Sequence, residues 1–171
     1  SASAVVPSLR TDWGISTGQG TLLTVAVQLG FVTGAVASAV LSLADRWSPT
    51  RLAAGSALVA SVATATIALA VDSLAPALPL RFVTGVALAG VYPTGIKLMA
   101  SWFDRGRGLA IGVLVGALTL GSALPQLLTG LAGALGDLPW RSVLLTSSVL
   151  CLVASVVALR LVRLGPLAAP A

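Results

Sequence analysis

The chain has 171 residues, 57% of them hydrophobic and only 9% charged, with a formal net charge of +5. A soluble domain carries about 25% charged residues, so this composition, with a mean hydropathy of +1.02, excludes a globule that faces water on all sides. The excess of positive charge does not indicate a nucleic-acid partner, because the ten Lys and Arg residues are dispersed at the ends of apolar runs, where they act as topology signals.

In chain order, the opening SASAVVPSLR is too short to span a bilayer and lacks the basic n-region of a signal peptide. It reads as the last turns of a preceding helix, and the chain as a fragment or a processed product. A transmembrane helix needs ~20 apolar residues, and runs of that kind predict spans at 18–43, 52–71, 76–100, 108–134 and 142–162. The breaks carry turn chemistry: Ser48 with Pro49, Asp72 with Pro76 and Pro79, Asp104 to Gly106, and Gly136 to Pro139. The expected fold is all-α, a polytopic membrane bundle of about five transmembrane helices. Short segments of alternating polarity, the mark of a membrane β-barrel, are missing. Residues 1–163 form one partial transmembrane bundle, and 164–171, with Gly and two prolines, read as the start of a linker. Because the connections are short, consecutive helices are expected to be antiparallel neighbours.

The bilayer is thus the first partner. Arg46, Arg51, Arg105, Arg107, Arg160 and Arg163 fall on one side, and Arg10 and Arg141 on the other, with Arg81 just inside. The more basic side is expected to be cytoplasmic, which puts the N-terminus outside and the C-terminus inside a cell membrane. Trp47, Trp102 and Phe103 fit an inner aromatic belt, and Trp13 and Trp140 an outer one.

Within the spans, Gly30 and Gly34 lie at i, i+4 and suit close helix packing. Gln28 and Thr24 lie on another side of the same helix. They either hydrogen-bond to a neighbouring helix or line a cavity, since intramembrane polar groups face the bundle interior. Arg81 and Lys97 are the cations inside the third span, about 24 Å apart along it. Each is either a snorkelling end residue or, if buried, in need of a partner. None of the spans holds an acidic residue to pair with them. On a helical wheel Arg81, Gly85, Leu88 and Tyr92 share one face, with Tyr92 about 20° from Arg81. Gly108, Gly112 and Gly116 form a small-residue ridge on the fourth span. Pro125 removes the amide that would bond the Gly121 carbonyl, so a kink is expected there. There is no His, Cys151 is the single cysteine, and no Cys/His/carboxylate cluster suggests a metal. No cofactor is expected. No nucleophile–base pair suggests an enzyme.

Several stretches together resemble the major facilitator superfamily of secondary transporters. LSLADRWSPTR resembles the family's loop between helices 2 and 3. Asp45 and Arg46 match, Arg51 supplies a later cation, and Leu41 and Ser48 stand at the two glycine positions. RFVTG resembles the family's Arg-x-x-x-Gly pattern, carried here by Arg81 and Gly85. GVYPTGIKLMASWFDRGRGLAIGVLVGALTLG, residues 90–121, is similar to a helix 4 to helix 5 segment, most of all that of nitrate/nitrite and cyanate-type permeases. The resemblance implies half of the twelve-helix fold, from the end of helix 1 through helix 6, and a missing C-terminal half as partner. It implies a small-molecule solute, an anion first among the candidates, bound between the halves. Arg81, Tyr92, Gln28 and Thr24 are the substrate- or proton-binding candidates. Asp45, with Arg46 and Arg51, would form a switch loop that caps a helix N-terminus of the other half. Gly30, Gly34, Gly85, Gly108, Gly112 and Gly116 would serve helix packing. Two other readings stay open. Gly112, Gly121 and Pro125 are nearly spaced as in the family's drug/proton antiporters, although Leu124 precedes the proline. A membrane scaffold that transports nothing is the alternative of another class.

Overall fold

The structure is a computed structural model that describes residues 2–42, 47–135 and 139–167. It is all-helical in these residues: α1 Ala2–Trp13, α2 Thr17–Val40, α3 Pro49–Ala70, α4 Leu74–Trp102, α5 Arg107–Leu135 and α6 Trp140–Leu161. Five of these, α2 to α6, are long and apolar enough to cross a membrane. The helices begin where the local chemistry places them. Ser16 accepts the Gln19 amide while its own amide donates to the Gln19 side chain, a reciprocal capping box that starts α2. Ser48 caps α3 through the Arg51 amide, with Pro49 in the first turn, where its missing N–H leaves no bond unmade. Gly14 and Gly106 take positive φ at the turns into α2 and α5, a region open to glycine at little cost.

Neighbours in space are not simply neighbours in sequence. The main partner of α2 is α4; α3 packs on α4 and α6; α5 touches the rest only lightly. The expectation that consecutive helices pack together therefore holds for α3 and α4 but not for α2 and α3, and only weakly along α5. The reason is glycine. A Cβ added at Gly30 would run into the Phe82 carbonyl oxygen, one at Gly34 would meet the Val86 backbone, and one at Gly85 the Val27 carbonyl. Backbone meets backbone along this seam, and the contacts keep step as both chains advance, so α2 and α4 run parallel. Lipid tails are as apolar as leucine, so close van der Waals approach, rather than hydrophobic burial, selects partners in a bilayer.

The second seam is polar. The Ser61 hydroxyl donates to the Ser148 carbonyl (2.8 Å), the Ser148 hydroxyl donates to the Ser61 carbonyl (2.9 Å), and the two oxygens lie 3.0 Å apart. Two turns away the Ser155 hydroxyl donates to the Ala54 carbonyl at 2.8 Å. All three serines are buried. Seven-residue spacing on both helices, in opposite directions, makes α3 and α6 an antiparallel pair with small residues between them. Large apolar side chains such as Leu29, Leu69, Leu120 and Leu159 point outward instead, as a lipid-facing surface requires.

One end of the bundle has a conventional core. Val5 and Leu9 of α1, Leu23 of α2, Ile67 and Val71 from α3 and its exit, Ala77 of α4, and Trp140 and Leu144 of α6 form one buried cluster. Its rim is tied by polar contacts. The Trp140 indole N–H donates to Asp12, and its ring meets that of Trp13 edge-on at 5.6 Å. Arg141 lies over the Trp140 ring, pairs with Asp72 and donates to the Ala68 carbonyl at 3.0 Å. The exposed ion pair contributes little by itself, but the set fixes α1 and the end of α3 to the start of α6.

Candidate functional site

Arg81 stands on α4 one turn beyond Ala77 and so just beneath that core. It is only 2% exposed. Its Nε and Nη2 atoms are buried without a hydrogen-bond partner. Snorkelling would carry a guanidinium outward; here the side chain is folded into the bundle. The five long helices offer no carboxylate, because the acidic residues fall in α1 or in the connections. Gly85, one turn on, lies against the Val27 carbonyl. With the Phe82 backbone against Gly30 and Gly85 between Val27 and Phe31, Arg81 is level with about residues 25–29 of α2, nearly one turn beyond Thr24.

The other candidates do not converge on it. Thr24 is half-buried, while Gln28 is exposed. Leu88 and Tyr92 are 42% and 39% exposed. The single face expected for Arg81, Gly85, Leu88 and Tyr92 is therefore divided, with the first two buried and the last two open. The core that includes Val5, Leu9 and Leu23 closes over the start of α4; beyond Gly85 the faces of Ala87, Ala89 and Thr94 stay buried while that of Leu88 and Tyr92 is open. Tyr92 lies eleven residues from Arg81, about 16 Å along the helix. Lys97 is exposed near the other end of α4.

Asp45 and Arg46 lie outside the described residues. Arg51 is exposed on the first turn of α3. Unlike Gly30, Gly34 and Gly85, the glycines of the α5 ridge face open space: an added Cβ at Gly108, Gly112 or Gly116 would meet nothing within 4 Å. No segment of the described chain packs on that ridge. Helix α5 continues through Pro125, which is buried. An open apolar groove between α2 and α4, lined by residues including Leu22, Leu29, Leu78 and Phe82, does not take in Arg81. Among the described residues no group of His, Cys, Asp and Glu could hold a metal ion.

Sequence reasoning overlooked the serine seam, the Asp12–Trp140 contact and Ser101, whose hydroxyl donates to the Leu98 carbonyl at 2.7 Å. The seven-residue interval from Ser148 to Ser155, matched by Ala54 and Ser61, was the available signal.

Apolar membrane-length helices, glycine-seamed packing and one guanidinium held inside without a counter-charge among the described residues define a polytopic membrane protein. A family model described as Major Facilitator Superfamily matches residues 1–170, and the chain belongs to that superfamily. Comparison with curated proteins and with solved structures gave no significant match. Members of the family are transporters rather than enzymes, and transport across a membrane is the activity the family indicates.

Proposed function

We propose that the chain forms the N-terminal bundle of a secondary transporter that carries a small anionic solute by alternating access, together with a second bundle. One observation carries this reading: Arg81, buried with two nitrogens unpaired and no acidic residue in the long helices. A buried charge at membrane depth calls for a partner or a wet cavity. An anion arriving from solution supplies that partner transiently, as a carried solute does. Thr24, nearly one turn of α2 before the level of Arg81, would add a hydroxyl. Tyr92 and Gln28, on open faces, would meet the solute from a cavity shared with the second bundle. The likeness of residues 90–121 to nitrate/nitrite and cyanate-type permeases supports the same solute class. Asp45, Arg46 and Arg51 would form the switch loop, its carboxylate drawn to a helix N-terminus of the second bundle.

The test is uptake into proteoliposomes by the full-length protein, against a panel of small inorganic and organic anions and a panel of lipophilic cations. Saturable anion uptake is expected. Transport confined to lipophilic cations would favour a drug/proton antiporter, and no transport of either class would favour a scaffold.

The proposed orientation in the cell membrane follows the arginine count and puts the Trp102 end of α4 in the cytoplasm. In a Cys151→Ala background, a cysteine at Ser73 should react with an impermeant thiol reagent on intact cells. One at Asp104 should react only after permeabilisation. The reverse pattern would invert the topology.

A further inference from the structure

Residues beyond α6, which composition reads as the start of a linker, do not leave the bundle directly. Helix α6 ends with the Val162 amide on the Ala158 carbonyl. The chain then lies across the last turn of α4. The Trp102 indole N–H donates to the Arg163 carbonyl at 2.8 Å. The Gly165 amide donates to the Ser101 hydroxyl at 2.9 Å, and the Leu167 amide to the Ser101 carbonyl at 3.0 Å. Ser101 is buried. Its hydroxyl donates to Leu98 while accepting from Gly165, so both of its capacities are used. The last carbonyls of any helix lack partners within it. Usually the residues that follow directly supply them; at Ser101 the donor comes instead from the exit of another helix. The fit is close: a Cβ on Gly165 would overlap the Ser101 carbonyl and press on the Trp102 ring.

From this we propose that residues 162–167 are a latch that holds the Trp102 end of α4 to the exit of α6, and that its release frees the turn between α4 and α5. That turn runs from Phe103 to Gly106, and α5 beyond it has few contacts of its own. Its position therefore depends on where the end of α4 is held. Any force or binding event on the chain that follows Leu167 reaches α4, the helix carrying Arg81, through three hydrogen bonds. The latch does not rest on Arg81 holding an anion, and its test does not use transport.

Hydrogen–deuterium exchange on the intact protein in lipid nanodiscs decides it. Gly165→Val should raise exchange at least tenfold in peptides covering 100–106 and 163–167, and leave 54–61 and 148–155 unchanged. Leu167→Pro deletes one donor and leaves Gly165 seated; it should give the same pattern at smaller size, and covers the case in which Gly165→Val does not fold. Trp102→Phe should loosen 163–167. Unchanged exchange at 100–106 in both Gly165→Val and Leu167→Pro would overturn the proposal. So would loss of protection across all helices in Leu167→Pro, because the segment would then be part of the global fold rather than a releasable tie.

Discussion

Uptake is expected to fall to background in Arg81→Met while the bundle becomes harder to unfold. The two effects share one cause. A buried polar group without a partner costs about 1–3 kcal/mol, and more when charged. Nε and Nη2 of Arg81 are in that position. Methionine keeps an unbranched apolar stem of similar reach and removes the donors. The gain should be on the order of 2 kcal/mol in detergent unfolding, the direction expected where a site is maintained at the expense of stability. Arg81→Lys keeps the charge but loses the planar fork of donors, and should reduce uptake about tenfold or more without the stability gain. Lys97→Ala, on an exposed part of α4, should stay within about twofold of wild type. Uptake normalised to membrane protein, with thermal unfolding of the same samples, is the measurement. A destabilised Arg81→Met that still transports would make Arg81 a packing residue.

The glycines should divide into two groups of opposite sign. Gly30→Ala and Gly85→Ala place a methyl group where a backbone carbonyl of the facing helix already lies. Carbonyl backbone cannot rotate away as a side chain can, so α2 and α4 must separate. Overpacking of this kind costs about 1–3 kcal/mol and sometimes more, and both variants should lose most of their folded yield. At Gly112 and Gly116 the same methyl meets open space. There alanine gains the roughly 0.5–1 kcal/mol of helix preference that glycine forgoes, so the isolated chain should be unharmed or slightly stabilised. Folded yield and unfolding midpoint in mild detergent test both halves. Destabilisation at Gly112 equal to that at Gly85 would mean that α5 is packed more tightly than the structure has it.

Hydropathy alone located the helices, because the bilayer sets their length and every long apolar run must respond to it. Ser48 with Pro49 marked one start for local reasons that need no partner, whereas the Ser16–Gln19 capping box emerged only from the structure. Helix adjacency was much harder to read. Leu29 and Leu23 are equally apolar, yet one faces outward and the other is buried; in lipid the hydrophobic pattern does not separate inside from outside. What separates them is small residues that let another helix's backbone approach, and this shows only once two helices are compared, as with Gly30 and the Phe82 backbone or Ser61 and Ser148. The burial of Arg81 was open for the same reason: a wheel places it on a face but does not say whether another helix covers that face. Tyr92 shares its direction and lies uncovered.

The serine seam also has a consequence for how the protein is made. Ser61 and Ser148 are separated by 87 residues, so α3 enters the membrane long before its partner exists. At ~5–20 residues per second the wait is on the order of ten seconds. During it the Ser61 hydroxyl can turn back to a carbonyl of its own helix, as intrahelical serines do, and α3 is stable as a lone span. Only when α6 arrives do the two hydroxyls exchange those internal bonds for each other's backbones. Trp140 reaches Asp12, 128 residues upstream, at the same stage. Helices α1 and α6 are thus joined by one late event, and synthesis that stops short of α6 leaves α2, α3 and α4 able to pack on one another with the serine seam and the Trp140 contact still unmade.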